Sequence, residues 1–198
     1  KLRGRKPKNP ADDPNANQRK VNLTDPDSAI MKERKGNFLQ GYNAQAIADQ
    51  HGIILAAAIT NHANDTQQLT PMIAHLRSML TQTGLVETDN LREITLLADA
   101  GYCTEKALST IGDRDPDCYI ATANTIKHPG KRRTGRRGPL PRNATHVDRM
   151  DRKVNRKHGR QLYRKRQGII EAVFGNIKAN HQLTHFCRRG LDAAKTEW

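Results

Sequence analysis

The sequence predicts an α/β fold in which an antiparallel hairpin precedes a strand, helix, strand crossover, and three observations carry that expectation. Residues 38–59 have strand-like periodicity, broken once by the turn sequence Asp49-Gln50-His51-Gly52. Apolar runs at 94–98 and 118–123 flank a short helical segment at 104–111, the pattern of parallel strands joined by a crossover. A long helical pattern runs from about Gly159 to Asn180, with Ile170, Val173, Phe174 and Ile177 on one apolar stripe.

The elements follow in order. Residues 1–22 are rich in Lys, Arg, Pro, Asn and Asp with almost no apolar side chains, which predicts a disordered basic linker. The hairpin comes next, its second strand the apolar run 52–59. Asn64-Asp65 offers a helix cap and Thr70-Pro71 a second start one turn later. Leu69, Met72, Ile73, Leu76, Met79 and Leu80 then recur at helical spacing, so a helix through Thr83 covers the hairpin. After the crossover, residues 124–159 carry many cations punctuated by Gly130, Gly135, Gly138, Pro139 and Pro141, a composition expected to form a mobile cationic loop rather than core.

Composition narrows the function classes. The chain has 198 residues and a formal net charge of +14, enough length for one domain with a normal core. Such a charge excess favours a polyanionic partner, because clustered Lys and Arg release counterions on meeting phosphate. Nucleic acid ranks ahead of a membrane surface, since no apolar run approaches the roughly 20 residues of a spanning helix and the cationic segments carry no apolar face. No signal peptide is visible behind Lys1. Cys103, Cys118 and Cys187 are odd in number and lack paired spacing, so neither a disulfide framework nor a structural zinc site is expected, and a reducing cytoplasm fits.

Two acids stand out as candidates for chemistry. Asp99 ends the apolar run Leu96-Leu97-Ala98 and is followed by Ala100-Gly101-Tyr102, which places a carboxylate at the rim of a sheet. Glu171 is a lone acid within a basic and apolar helix; Arg164, Glu171 and Lys178 lie seven apart and so share a second stripe, with roughly 10 Å between successive members. If the two acids meet, they suit Mg²⁺ or Mn²⁺, hard cations that prefer carboxylate oxygens and leave positions open for water and phosphate. Simpler readings stay open: Asp99 as a turn or capping residue, and Glu171 as a solvated acid in ordinary helix ion pairs. His181 and His185, four apart, lack a third ligand in sequence.

With these residues in view, the chain resembles the DDE transposases of bacterial insertion sequences, in the branch that carries a Thr-Asp-Pro-Asp-Ser segment. The matching segments are Asn22-Leu23-Thr24-Asp25-Pro26-Asp27-Ser28, Gly41-Tyr42-Asn43-Ala44-Gln45, Asn64-Asp65 with Gln68-Leu69, Ala98-Asp99-Ala100-Gly101-Tyr102, Tyr119-Ile120-Ala121-Thr122, the helix from Tyr163 to Lys178, Phe186-Cys187-Arg188-Arg189-Gly190 and Glu197-Trp198. The resemblance implies an RNase H-like core with helices on both faces, spanning 23–198 as a partial catalytic domain. It implies DNA strand cleavage and transfer with two Mg²⁺ or Mn²⁺ ions, Asp99 in the place of the second catalytic Asp and Glu171 in that of the Glu. Tyr163, Arg166 and Lys178 match the Tyr, Arg and Lys around that Glu. Four residues separate Arg166 from Glu171 where the commonest form has three, so Arg164 competes for the arginine role. The implied partners are transposon ends and target DNA, with a homodimer in the synaptic complex, and the implied location is the bacterial cytoplasm, at the nucleoid. The family's first Asp lies on an opening strand ahead of the basic linker; Asp25 and Asp27, beside Pro26, read instead as turn or capping residues. The chain is therefore expected to be truncated at both ends, and two functions compete: a transposase catalytic fragment, or a nonenzymatic DNA-binding relic.

Overall fold

The computed structural model describes residues 22–32, 36–86, 89–123 and 138–198. Among the described residues, six strands and five α-helices form a mixed α/β arrangement, with two antiparallel pairs, one parallel pair and helices packed on them, as in an RNase H-like core. The strands are β1 (Ala29–Lys32), β2 (Phe38–Gly41), β3 (Asn43–Ala48), β4 (Ile54–Thr60), β5 (Thr95–Ala98) and β6 (Asp117–Ile120). The helices are α1 (Leu69–Gln82), α2 (Glu105–Ser109), α3 (His146–Asn155), α4 (Lys157–Ala179) and α5 (Leu191–Glu197).

The hairpin expected over 38–59 is really two. The run breaks at Tyr42: β2 turns back on β1, pairing Lys32 with Phe38 and Ala29 with Gly41, while β3 pairs antiparallel with β4 from Asn43 opposite Thr60 to Ala48 opposite Ile54. The break has a tertiary cause, because the Tyr42 hydroxyl donates to both Asp25 carboxylate oxygens at 2.7 and 2.8 Å and its ring meets Phe186 edge-on. The turn between β3 and β4 is the expected one: Asp49 accepts from the His51 and Ile53 amides at 2.8 and 2.9 Å, and Gly52 takes a positive φ of 82° that suits a residue without Cβ.

Helix α1 covers β3 and β4 as its apolar spacing predicts, burying Leu69, Met72, Ile73, Leu76 and Leu80. It starts at Leu69 rather than at an Asn64-Asp65 cap. Asn64 accepts from Thr66, and the Asp65 side chain turns away to bond Asn43 and Gln45. Strands β5 and β6 pair in parallel from Thr95 opposite Asp117 to Ala98 opposite Ile120, with α2 on the crossover, capped by Thr104 Oγ1 accepting from the Ala107 amide at 3.1 Å.

The cationic loop expected over 124–159 is corrected in part: residues 146–155 are α3, and residues 124–137 lie outside the described residues. Three features make this helix. Thr145 and Asp148 form a reciprocal capping box, Glu105 accepts from the His146 and Val147 amides at 2.8 and 3.0 Å, and Val147, Met150 and Val154 form an apolar stripe facing the core. The exposed face is polar enough to mask that stripe in a composition-based reading. Helix α4 matches the long helix expected near Gly159 to Asn180. The disordered linker expected over 1–22 lies outside the described residues except for Asn22.

Two apolar clusters hold the elements. One joins Leu69 and Ile73 to Ala107, Leu108, Cys118, Tyr119, Ile120, Met150 and Val154; the other joins Ala56 to Met72, Leu76, Leu80 and Leu91. Leu76, Leu91 and Ile120 are essentially sealed from solvent, each stabilising the fold by roughly 1.5–3 kcal/mol relative to exposure. The N-terminal segment closes onto α5: Asp27 accepts from the Leu191 amide at 3.1 Å and Asp25 from the Gly190 amide at 3.3 Å, so the Asp25-Pro26-Asp27 acids serve as turn and capping residues. Cys103, Cys118 and Cys187 are free thiols.

Candidate functional site

Strand β5 leads the chain to Asp99, whose extended backbone, φ −76° and ψ 167°, caps the single 3₁₀ turn Ala100–Tyr102. The Asp99 carboxylate accepts from the Ala100 amide at 2.7 Å, so the capping reading of this residue holds, and its second oxygen points away toward α4. Gly101 lets the turn approach Asp65 closely: a Cβ there would stand 3.0 Å from Asp65 Oδ2.

Below the turn lies a polar network that ties β3 to the end of β5. Asp65 Oδ1 accepts from Asn43 Nδ2 at 2.8 Å and from Gln45 Nε2 at 2.7 Å. Gln45 is 3% exposed and accepts in turn from the Tyr102 hydroxyl. Burial pushes the Tyr102 phenol well above its ordinary pKa, and the Asp65 and Asp99 charges add to the shift, so it stays protonated and keeps donating to Gln45. The Trp198 indole donates to the Gln45 carbonyl at 3.0 Å and stacks on Phe174, with centroids 6.1 Å apart and planes 18° from parallel.

Helix α4 forms the opposite wall. Its stripe behaves as the spacing predicts: Val173 is buried and Ile170, Phe174 and Ile177 are half-buried. Arg166 reaches back toward the strand end, its Nη2 3.9 Å from Asp99 Oδ2, while its guanidinium sits over the Tyr163 ring at 5.6 Å. Burial raises the Tyr163 pKa, opposed by the Arg166 charge.

Between these walls lies a cavity of about 790 Å³. Its sides are the facing edges of β3 and β5, which are not hydrogen-bonded to each other, its floor includes Leu69, Met72 and Leu76 of α1, and its other wall is Leu162, Ile169, Ile170 and Phe174 of α4. Asp99, Arg166 and Glu171 all line it. The structure therefore brings Asp99, Arg166 and Glu171 to one cavity and sets Tyr163 beneath Arg166. Arg164 and Lys178 are exposed, do not line the cavity, and make no ion pair among the described residues. His181 and His185 are also exposed.

As a metal-binding set, Asp99 and Glu171 offer the right chemistry, hard carboxylate oxygens beside open space. Among the described residues no group of three or more His, Cys, Asp or Glu side chains is close enough to hold a metal ion. Sequence reasoning missed Gln45, Asp65, Tyr102 and Lys165 as parts of this region. Asn64-Asp65 reads in the sequence as a helix cap, and only the packing of β3 against the β5 turn sends the Asp65 carboxylate inward.

No helix among the described residues is long and apolar enough to cross a membrane. No curated protein and no solved structure matches the chain. The family model described as a transposase DDE domain matches residues 14–198, from ahead of the Asp25-Pro26-Asp27 turn through Asp99 and Glu171 to Trp198. The chain belongs to the family of transposase DDE domains.

Proposed function

We propose that this chain binds DNA and performs metal-dependent strand cleavage and transfer during transposition of a bacterial insertion sequence, with Asp99 and Glu171 as its catalytic and metal-holding acids. The observation that carries this reading is the shared cavity: two carboxylates from distant segments line it with an arginine beside them. A bound Mg²⁺ or Mn²⁺ would polarise the scissile phosphate and lower the pKa of a nucleophilic water. Arg166 restrains the Asp99 carboxylate and supplies positive charge where phosphate enters; the Tyr163 ring supports its guanidinium from the other side. Arg164 and Lys178, two helical turns on either side of Glu171 and free of ion pairs among the described residues, meet the DNA backbone. An extended segment laid in the cleft parallel to β5 and ending in an acid would bring a third carboxylate beside Asp99, and the unjoined edges of β3 and β5 supply the hydrogen-bonding groups for it. In this reading the protein works at paired transposon ends as a homodimer, at the bacterial nucleoid.

The competing relic reading draws on the absence, among the described residues, of any group of three or more His, Cys, Asp or Glu side chains placed to hold a metal ion. Nicking of supercoiled plasmid with Mn²⁺ separates the two. Metal-dependent nicking that D99N and E171Q abolish supports the enzyme; plasmid binding without nicking, in the wild type and both variants alike, supports the relic.

A further inference from the structure

We propose that the elbow between α3 and α4 is a second DNA contact, a cationic cavity that takes the phosphate backbone beyond the segment held near Asp99 and Glu171. This rests on the reading of the chain as a DNA-binding protein and gives that reading a second surface.

The spacing makes the surface. Arg149, Arg152 and Lys153 recur at three- and four-residue intervals, so they share one face of α3, away from the Val147, Met150 and Val154 stripe that enters the core, and Arg156 joins them from the extended residue between α3 and α4. The acids of the same helix serve other partners: Asp148 completes the capping box with Thr145, and Asp151 accepts from Thr122 at 2.6 Å and from the Asn155 side chain at 3.1 Å. These four cations surround a cavity of about 430 Å³ that Tyr119, Leu140, His158 and Gly159 complete. The buried Gly159 is what lets α4 close the concavity, since a Cβ there would run into the Lys153 carbonyl oxygen and stand 3.0 Å from Val154 Cα.

Two of the cations are fixed and two are not. Lys153 is held by the Asp117 carboxylate, the Cys118 carbonyl at 2.9 Å and the Tyr119 ring at 4.4 Å; Arg152 donates to the Gly138 carbonyl. Arg149 and Arg156 are exposed and make no ion pair among the described residues. A wall of held cations with free guanidinium groups at its mouth suits a phosphodiester, which accepts bidentate hydrogen bonds and releases counterions when neutralised. The position also fits a continuous track. Arg156, the residue that precedes α4, lies 15 positions before Glu171, about 22 Å at 1.5 Å per residue, which is about six to seven base pairs of a duplex running along the helix at 3.4 Å per pair.

Fluorescence anisotropy of the whole chain with a short labelled duplex of random sequence, repeated over a salt series, tests this. R149Q/R156Q removes the two free charges; R92Q/K195Q removes two exposed charges elsewhere and serves as the control. The slope of log affinity against log salt is expected to flatten by about 1.8 in R149Q/R156Q and by about 0.9 in R149Q alone, with a much smaller change in the control pair. Equal slopes in wild type and R149Q/R156Q, or equal flattening in both pairs, would overturn the proposal. Far-UV circular dichroism shows whether each variant is folded, and R149Q alone decides the outcome if the double variant is not. The catalytic reading fails separately: a flattened slope in a protein that never nicks DNA keeps this contact and rejects the enzyme, whereas D99N-sensitive nicking with an unaltered slope does the reverse.

Discussion

Arg166 Nη2 stands 3.9 Å from Asp99 Oδ2, joining the middle of a 23-residue helix to the end of a strand 67 positions earlier in the chain. The pair is half open to water, the arginine side chain 25% and the aspartate 54% exposed, so its Coulombic contribution to stability is small. Its consequence is positional. Of the two arginines that compete in the sequence, Arg166 is beside Asp99, and Arg164 faces outward.

That geometry separates the two arginines experimentally. R166A is expected to reduce Mn²⁺-dependent nicking roughly tenfold or more at saturating DNA, the scale of a lost charge-assisted contact of about 1.5–3 kcal/mol, with R166K recovering only part because a point charge cannot reproduce the guanidinium fork. R164A is expected to weaken DNA binding and flatten its salt dependence by about 0.9 while nicking at saturation persists. Anisotropy and plasmid nicking on the same preparations check both.

Removal of either acid has a different signature. D99N and E171Q are expected to lower nicking by roughly a hundredfold or more, since a lost metal ligand forfeits several kcal/mol of charge stabilisation. DNA affinity without metal should stay within about twofold for these variants. Wild-type nicking rates in both would remove these residues from the site.

The glycines of α4 are expected to behave in opposite ways. G159A should cost about 3 kcal/mol or more, because the added Cβ meets backbone of α3 that has nowhere to move. G168A and G175A meet nothing within 4 Å in the middle of the helix, and should stabilise by about 0.5–1 kcal/mol through a better helix former. Urea unfolding of the three variants reads both signs.

Tyr42 predicts an alkaline limit. Burial, then its hydrogen bond to Asp25, pushes the phenol up to about 12 from its ordinary 10.0. A phenol held neutral in the folded state contributes stability that is whole below pH 10, where the unfolded chain begins to ionise, and that disappears as pH rises through about 12. Y42F, lacking the bond to Asp25, is expected to lose about 1–2 kcal/mol at neutral pH and to show a shallower stability loss between pH 10 and 12. Thermal melts across that range measure it.

The sequence by itself determined the elements whose signals are local and periodic. The apolar spacing of α1 and α4, the Asp49 to Gly52 turn, the parallel strands on either side of α2 and the position of Asp99 at a strand end all follow from side-chain type and interval, because burial of one face at period 2 or 3.6 needs no knowledge of the partner. Tertiary structure alone decided the rest. The division of the first strand run at Tyr42 depends on Asp25 and Phe186, at the far ends of the described chain. The inward turn of Asp65 depends on a glycine 36 positions later leaving room for it. The choice of Arg166 over Arg164 beside Asp99 depends on the rotation of α4 against the β3 and β5 edges. Each is a contact between residues distant in sequence, and such contacts leave no period behind for a linear reading to find.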